Sequence, residues 1–248
     1  MNSALWHRVG LRLSAHGYRV YAPEMLGLGY TDGPDDYDHS LRGQAGLFRL
    51  FASAVVQDEY VLVGHDLGGG VAQIVVSETP QSVEKCVLTD CVAFDSWPVD
   101  AIKPLIAAAH RETYREIFTP EHTRNFLQKA LSFGLLDASA ITEELIEDLL
   151  QGLTGTADHL AHFVRFLRAM DNKQTQDASS KLTGFQGETL LVWAKADQFQ
   201  PVSVGERLRS VLPHAAWTPI EGRHFHPLES SALADAIIQW DKGARNGQ

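Results

Sequence analysis

The sequence predicts an α/β protein in which helices cover both faces of a doubly wound, mostly parallel sheet. Short β-rich runs alternate with longer runs of helical periodicity in both outer parts of the chain. The β-rich runs are continuously apolar, which is typical of parallel strands buried on both faces. The middle of the chain contains helical periodicity and no convincing strand, which indicates a helical insertion between two parts of one sheet domain.

Composition and charge limit the classes of function. With 248 residues, 44% of them hydrophobic, the chain is long enough to bury a full core. The formal charge is -10 and no block of Lys and Arg occurs, which argues against nucleic acid or an anionic membrane as a partner. Cys86 and Cys91 share one apolar run and predict buried thiols. Without a leader or a membrane-spanning run, we expect a cytoplasmic protein.

In the first part of the chain, helices and strands alternate up to residue 89. The first helix follows Ser3, a candidate N-cap, and carries Leu5, Val9 and Leu13 on one face. The next predicted elements are a strand over Tyr18–Ala22, a loop over 27–36, a helix over 40–56, a strand over 60–63, a helix over 67–78 and a strand over 85–89.

Beyond residue 95 the pattern becomes helical until strands resume near residue 189. We interpret this stretch as a helical cap over residues 97–182, inserted into a core domain formed by residues 1–96 and 183–248. The remaining predicted elements are strands over 189–193 and 215–220, a helix that opens on Ser203 with Glu206 in capping-box spacing, and a last helix over 229–240.

The most specific motif is Val63-Gly64-His65-Asp66-Leu67-Gly68-Gly69, in which a strand, the pattern Gly-x-nucleophile-x-Gly and a helix follow one another. This is a nucleophile elbow with aspartate at its centre. A turn this sharp brings backbones together, so we expect side chains at positions 64 and 68 to collide. The helix dipole and the free amides at a helix start keep a carboxylate ionised there. The alternative is that Asp66 only caps the helix.

Two further motifs place an acid and a histidine after later strands. Asp197 follows the strand over 189–193, and His224 follows the turn after the next strand. The order nucleophile, acid, histidine is the one used by hydrolases built on this kind of sheet. His226 leaves a local ambiguity, but the position of His224 directly after the turn favours it. The sequence therefore predicts a triad of Asp66, Asp197 and His224.

These motifs resemble the α/β-hydrolase superfamily over nearly the whole chain. The segment His65-Asp66-Leu67-Gly68-Gly69 is similar to the His-Asp-Trp-Gly-Gly elbow of epoxide hydrolases and haloalkane dehalogenases, and Tyr18–Gly33 is similar to their strand and loop ahead of the elbow helix. The resemblance implies a cap that roofs the active site. It implies that Asp66 attacks a small, mostly apolar electrophile and forms a covalent ester. His224, oriented by Asp197, would then activate water to hydrolyse this ester, with no metal or organic cofactor.

Departures from the family pattern leave the substrate open. Leu67 stands where dehalogenases use Trp to bind the halide, which favours epoxide opening over dehalogenation, and its backbone amide is the expected oxyanion donor. Tyr114 could activate an epoxide oxygen from the cap or could only pack there. Trp97 could line the pocket or pin the hinge of the cap. His65 is a third candidate for contact with substrate.

The resemblance also implies strands and a His-Gly loop ahead of the first helix, and the sequence lacks both. Either Met1 is not the natural start, or this is a shortened relative with poor or lost activity. In the given chain we expect a sheet without its N-terminal strands, one oxyanion donor fewer and an exposed sheet edge through which a homodimer could form. The alternatives are a non-catalytic or ligand-binding relative and an esterase or lactonase. The expected partners are a small-molecule substrate and water, with no nucleic acid and no membrane.

Overall fold

The computed structural model describes residues 1–212 and 214–246, and in this part of the chain four parallel strands form one sheet. In the order in which they pair, the strands are β1 Val61–His65, β2 Lys85–Thr89, β3 Glu188–Ala194 and β4 Ala216–Ile220. Every residue of β2 is buried, and so is every residue of β3 after the first. This confirms the parallel sheet that the continuous apolar runs predict.

Helices cover both faces of this sheet, which confirms the predicted fold class. In chain order they are α1 His7–Ser14, α2 Leu41–Phe51, α3 Leu67–Glu78, α4 Lys103–Ala109, α5 Tyr114–Ile117, α6 Pro120–Gly134, α7 Glu143–Thr154, α8 Ala157–Arg168, α9 Lys173–Ser179, α10 Val202–Val211, α11 His226–Glu229 and α12 Ala232–Asn246. Within the described residues, none of these helices combines the length and the apolar character needed to cross a bilayer.

Successive residues of a strand supply two separate cores. Leu88 and Leu191 pack with α2, α3 and α10 on one face of the sheet. Val87 and Val192 pack with α1 and α12 on the other face. This division follows from the alternation of side chains along a strand. Both cysteines are buried and free, as predicted.

The strand predicted over Tyr18–Ala22 is wrong, because this segment forms no strand pairing. A β-rich run becomes a strand only when a neighbour accepts its backbone hydrogen bonds. Here a cavity of about 870 Å³ is lined by residues 18–24 on one side and by β1 on the other. The outer edge of β1 accordingly has no partner strand in residues 1–212 and 214–246.

Several predicted helix boundaries also differ from the structure. The side chain of Asn2, rather than Ser3, caps the first helical turn. The helix predicted from Ser203 begins at Val202, and no side chain caps it, so the capping box is not formed. The last predicted helix, over 229–240, is α12, which begins at Ala232 and follows the short helix α11.

The segment between β2 and β3 is helical, as predicted, and its helices share a core. Leu131 of α6, Ile146 of α7 and Phe166 of α8 are all buried in it. Phe225, from the loop after β4, belongs to the same core, and its backbone N–H donates to the carbonyl of Gly134 at the end of α6 (2.8 Å). The helical segment is therefore fastened to the loop that carries His224. Its division from the core as a separate domain over 97–182 stays a prediction.

We expect Leu131→Ala to lower the free energy of unfolding by about 2–5 kcal/mol, because this fully buried side chain fills the core of the helical segment. Leu136→Ala is the matched control, since the side chain of Leu136 is 59% exposed. Its effect should stay within about 0.5 kcal/mol. Urea unfolding measures both variants, and equal losses would contradict the packing described.

Candidate active site

Asp66 lies at the tip of a sharp turn between β1 and α3. Its backbone angles are φ 49° and ψ −123°, a conformation that costs a non-glycine residue on the order of 1–3 kcal/mol and is concentrated at functional sites. The Asp66 carbonyl accepts hydrogen bonds from the amides of Gly69 (3.0 Å) and Val92 (3.2 Å), which hold the turn in place. The Asp66 side chain makes no capping hydrogen bond to α3. The alternative that Asp66 only caps the helix is therefore wrong.

Glycine is required at two positions of this turn, but not at both of the predicted ones. A Cβ on Gly64 would lie 2.6 Å from the Cα of Gly69, and a Cβ on Gly69 would collide with the Cβ of Cys91. A Cβ on Gly68 would have no heavy atom within 4 Å. The expected collision at Gly68 is wrong because this residue lines the cavity instead of facing the neighbouring backbone.

The loops after β3 and β4 bring an acid and a histidine to the same end of the sheet as Asp66. Asp197 accepts hydrogen bonds from the amides of Phe199 (2.7 Å) and Gln200 (3.0 Å). Its other carboxylate oxygen lies 2.8 Å from Nδ1 of His224. Nε2 of His224 lies 3.8 Å from Oδ1 of Asp66, whose side chain is 31% exposed. The structure thus brings together all three residues of the predicted triad.

These three groups stabilise one another's charges. Burial raises the pKa of Asp66, but the adjacent protonated His224 outweighs burial and lowers the pKa to about 2. Burial lowers the pKa of His224, but the hydrogen bond to Asp197 and the charges of Asp197 and Asp66 raise it to about 10. For Asp197, burial is again outweighed by His224, and the pKa is lowered. At neutral pH the resting site therefore holds an imidazolium between two carboxylates.

His65 supports the loop that carries His224. Its Nε2 lies 2.8 Å from the carbonyl oxygen of His224, which can only accept, so this nitrogen donates. Burial and the charge of His224 lower the pKa of His65 to about 3, and the ring is neutral. The ring also lines the cavity. His65 thus lies at the cavity that Asp66 also lines, with one nitrogen bound to the protein backbone.

Leu67 is the first residue of α3, and its side chain packs between the sheet core and the core of the helical segment. An amide in the first turn of a helix has no acceptor within the helix. Leu67 and Asp66 both line the cavity. The backbone amide of Leu67 therefore remains the candidate donor to a developing oxyanion.

The structure does not bring the other two predicted substrate contacts to the cavity beside Asp66. Trp97 is 3% exposed, and its indole N–H donates to Oγ1 of Thr175 (2.7 Å) in the sheet core. Tyr114 packs in the helical segment, where the guanidinium of Arg168 lies 5.4 Å from its ring centroid. Neither residue lines the cavity, whereas Trp6, Met25 and Phe225 do. Trp97 therefore fits the alternative of a hinge residue.

Sequence reasoning missed a second acid and histidine directly behind the triad. Nε2 of His226 lies 2.9 Å from Oδ2 of Asp90, and the hydroxyl of Thr89 donates to the same oxygen (2.8 Å). Asp90 directly follows a buried strand, and this was the available signal for it. The sequence offers His226 only as an alternative to His224. Within the described residues, no cluster of three His, Cys, Asp or Glu side chains could hold a metal ion.

Comparison with known proteins identifies the family to which this geometry belongs. The model of the alpha/beta hydrolase fold matches residues 1–231. The chain belongs to the α/β-hydrolase fold family. It is 30% identical to a 2-hydroxy-6-oxononadienedioate/2-hydroxy-6-oxononatrienedioate hydrolase of Burkholderia vietnamiensis, over 86% of this chain and 72% of the relative. It is 33% identical to a protein of the same name from Paraburkholderia phymatum, over 80% of this chain and 67% of the relative.

Solved structures of this α/β-hydrolase family have the same fold. Haloalkane dehalogenase DbeA of Bradyrhizobium elkani matches with a TM-score of 0.78 at 15% identity, over 100% of this chain and 88% of that chain. The meta-cleavage product hydrolase CumD of Pseudomonas fluorescens matches with a TM-score of 0.77 at 21% identity, over 98% of this chain and 86% of that chain. The superfamily predicted from the elbow motif is thereby confirmed, and the names of these proteins support a hydrolase.

We expect Gly69→Ala to lower the melting temperature markedly, because the added Cβ collides with Cys91 in a packed core, which costs about 1–3 kcal/mol or more. Gly68→Ala is the matched control one residue away, where the methyl group enters open space. It should leave the melting temperature nearly unchanged. Thermal unfolding followed by circular dichroism compares the two, and a greater loss in Gly68→Ala would contradict the geometry of the elbow.

Proposed function

We propose that this α/β-hydrolase uses Asp66 as a nucleophile toward an alkyl carbon of a small, mostly apolar electrophile and forms a covalent ester. The observation that carries this proposal is an ionised, partly exposed carboxylate at the tip of a strained elbow, 3.8 Å from a histidine that is paired with a buried acid. A carboxylate needs no base for its own attack. His224 is therefore left to act on water in a second step.

In the first step, a carboxylate oxygen of Asp66 attacks the electrophilic carbon and forms an ester bond. The bond from this carbon to an epoxide oxygen or to a halogen breaks, and its electron pair leaves with that atom. An opened epoxide needs a proton on its alkoxide, and the imidazolium of His224 can supply one. A halide needs no proton, and Leu67 offers it no side-chain donor. Both points favour an epoxide over a haloalkane as the substrate.

In the second step, neutral His224 removes a proton from water, and the hydroxide attacks the ester carbonyl carbon of Asp66. Asp197 keeps the ring oriented and stabilises the imidazolium that forms. The amide of Leu67 is the candidate donor to the tetrahedral oxyanion. Collapse breaks the bond between the carbonyl carbon and the alkyl oxygen. The product leaves as an alcohol, with the proton returned by His224. The proton of the new Asp66 carboxyl group then passes to neutral His224, which restores the carboxylate of Asp66 and the resting imidazolium.

A second candidate function follows from the curated relatives, which are named hydrolases of 2-hydroxy-6-oxononadienedioate and its trienedioate analogue. An identity of 30–33% over most of the chain favours this substrate class. Attack of Asp66 on a carbonyl carbon would give a labile anhydride, so in this chemistry Asp66 would have to act as a base on water. An assay with the relatives' substrate, run beside the epoxide assay, separates the two candidates.

The remaining alternatives have distinct outcomes in the same assays. A non-catalytic or ligand-binding relative would show no turnover that depends on Asp66. An esterase or lactonase would form an acyl-enzyme on a serine. The assembled triad favours catalysis over a non-catalytic relative, and aspartate in place of serine at the elbow favours an alkyl ester over an acyl-enzyme. A homodimer through the outer edge of β1 and a cytoplasmic location stay predictions, and the mass of the protein in solution tests the first.

We expect His224→Gln to gain the mass of one substrate molecule when it is incubated with the productive class among small epoxides, haloalkanes and haloacids. With an epoxide the ester should form more slowly, because water must protonate the alkoxide in place of His224, but it accumulates because no base activates water to hydrolyse it. Intact-protein mass spectrometry measures the adduct, and peptide mapping locates it. The same incubation with Asp66→Asn should give no adduct. An adduct on any other residue would contradict the proposed nucleophile.

We expect the two steps to depend differently on pH. Because the pKa of Asp66 is about 2, ester formation should be constant between about pH 4 and 9. Esterification removes the negative charge of Asp66, so the pKa of His224 falls below its resting value of about 10. Ester hydrolysis should therefore rise with pH until His224 is neutral and then level off. Rapid-quench kinetics measure both rates, and a hydrolysis rate that falls with increasing pH would contradict this assignment.

A further inference from the structure

Asp90 is a buried acid that the proposed reaction does not use. It directly follows β2, which pairs with β3, so that Thr89 lies opposite Val192. Asp90 and His226 are both completely inaccessible to solvent. The backbone of Asp90 has φ 43°, a conformation that is uncommon for a residue other than glycine and is concentrated at functional sites. A strained, fully buried carboxyl group therefore lies at the carboxyl end of the strands, beside the triad.

The carboxyl group of Asp90 is held on both oxygens. Oδ1 accepts the backbone N–H of Ala194 (2.9 Å). Oδ2 accepts the hydroxyl of Thr89 (2.8 Å) and lies 2.9 Å from Nε2 of His226. The carbonyl of Ala194 accepts the amide of Asp197 (3.2 Å), so Asp90 holds the end of β3 that leads into the acid orienting His224. These contacts fix Asp90 against the triad from behind, away from the substrate.

Two neighbouring buried carboxyl groups avoid carrying two negative charges. Asp197 accepts two backbone amides and faces Nδ1 of His224, and its pKa is lowered. Burial and the charge of Asp197 raise the pKa of Asp90 well above its usual range. The contacts and both directions therefore assign the proton to Asp90. Burial and the charge of His224 lower the pKa of His226 to about 3, so its ring is neutral. Nδ1 of His226 is buried without a partner among the described residues, as expected when the proton lies on Nε2.

We propose that Asp90 is a positioning residue that donates a hydrogen bond to Asp197 and so holds Asp197 in line with His224. His226 and Thr89 fix the orientation of the Asp90 carboxyl group. The pair of Asp90 and His226 carries no net charge, so it adds no second anion behind Asp197. The kinetic consequence of this role rests on the proposed function, because Asp197 acts through His224 in ester hydrolysis.

The first test follows the imidazole of His224 directly and needs no turnover. The titratable groups that face Asp90 are Asp197 after β3, His224 and His226 after β4, and Cys91 on its own loop. Nitrogen-15 NMR of the histidine rings, assigned with His224→Gln, gives the titration of His224 in wild type, Asp90→Asn and Asp90→Ala. Asparagine tolerates positive φ and still donates from its amide. The Asp90→Asn variant can still be measured if the alanine variant does not fold.

We expect Asp90→Asn to move the midpoint of the His224 titration by less than about half a pH unit, because a neutral donor replaces a neutral donor. A fall of more than about one pH unit would show that a negative charge had been removed and would overturn the assignment of the proton to Asp90. We expect Asp90→Ala to shift or broaden the Nδ1 proton signal of His224. An unchanged signal and midpoint in Asp90→Ala would overturn the positioning role.

The second test separates positioning from a merely structural contribution. We expect Asp90→Ala to slow ester hydrolysis by on the order of 10-fold or more and ester formation by a smaller factor, so that the ester accumulates. Asp90→Asn should restore hydrolysis to within about 3-fold of wild type. Asp241→Asn is the control, since it alters a buried carboxylate that pairs with Lys85 (2.8 Å) away from the triad. It should lower stability without changing the ratio of the two rates.

Failure of this inference is distinguishable from failure of the proposed function. If wild type forms an Asp66 ester but both Asp90 variants keep the wild-type ratio of rates, only the positioning role fails. If no Asp66 ester forms, the proposed function fails, and the NMR titration still decides whether Asp90 acts on His224.

Discussion

The contact between Nδ1 of His224 and Asp197, at 2.8 Å, is the interaction on which the rest of the site depends. It fixes the ring so that Nε2 faces Asp66, and it contributes to the raised pKa of His224. The protonated ring in turn keeps Asp66 ionised in a largely apolar cavity. If Asp197 were displaced, the charge on His224 would lose its partner, and the elbow would present a carboxylate without the base needed for the second step.

The parallel sheet explains why these groups meet. Parallel strands deliver their carboxyl ends to one edge, so β1 leads into Asp66, β2 into Asp90, β3 toward Asp197 and β4 toward His224. The site has two layers. A charged layer of Asp66, His224 and Asp197 faces the cavity, and a neutral layer of Asp90 and His226 lies behind it. The bond from the Phe225 amide to the Gly134 carbonyl ties the helical segment to the same loop.

The features that the sequence predicted well are those with a local signal. The elbow at Asp66 is encoded by a strand, a glycine pattern and a helix within a few residues, and the strand ends locate Asp197 and His224. The sequence predictions that were wrong depend on contacts between residues that are distant in sequence. The run over 18–22 lacks a neighbouring strand, and Gly68 proved to line the cavity. The indole of Trp97 faces away from the cavity because it donates to Thr175. Asp90 gains its place through Ala194 and His226, which are distant in sequence and which no local pattern shows.

The central claim is that water attacks the ester carbonyl of Asp66 and not the substrate. A single turnover in water labelled with oxygen-18, with enzyme in excess over the productive substrate, tests it most directly. We expect the label to enter the Asp66 carboxylate, which makes the peptide about 2 Da heavier, while the product takes an unlabelled oxygen from Asp66. Label in the product and none in Asp66 would mean that water reacts directly with the substrate, and this would contradict the covalent mechanism.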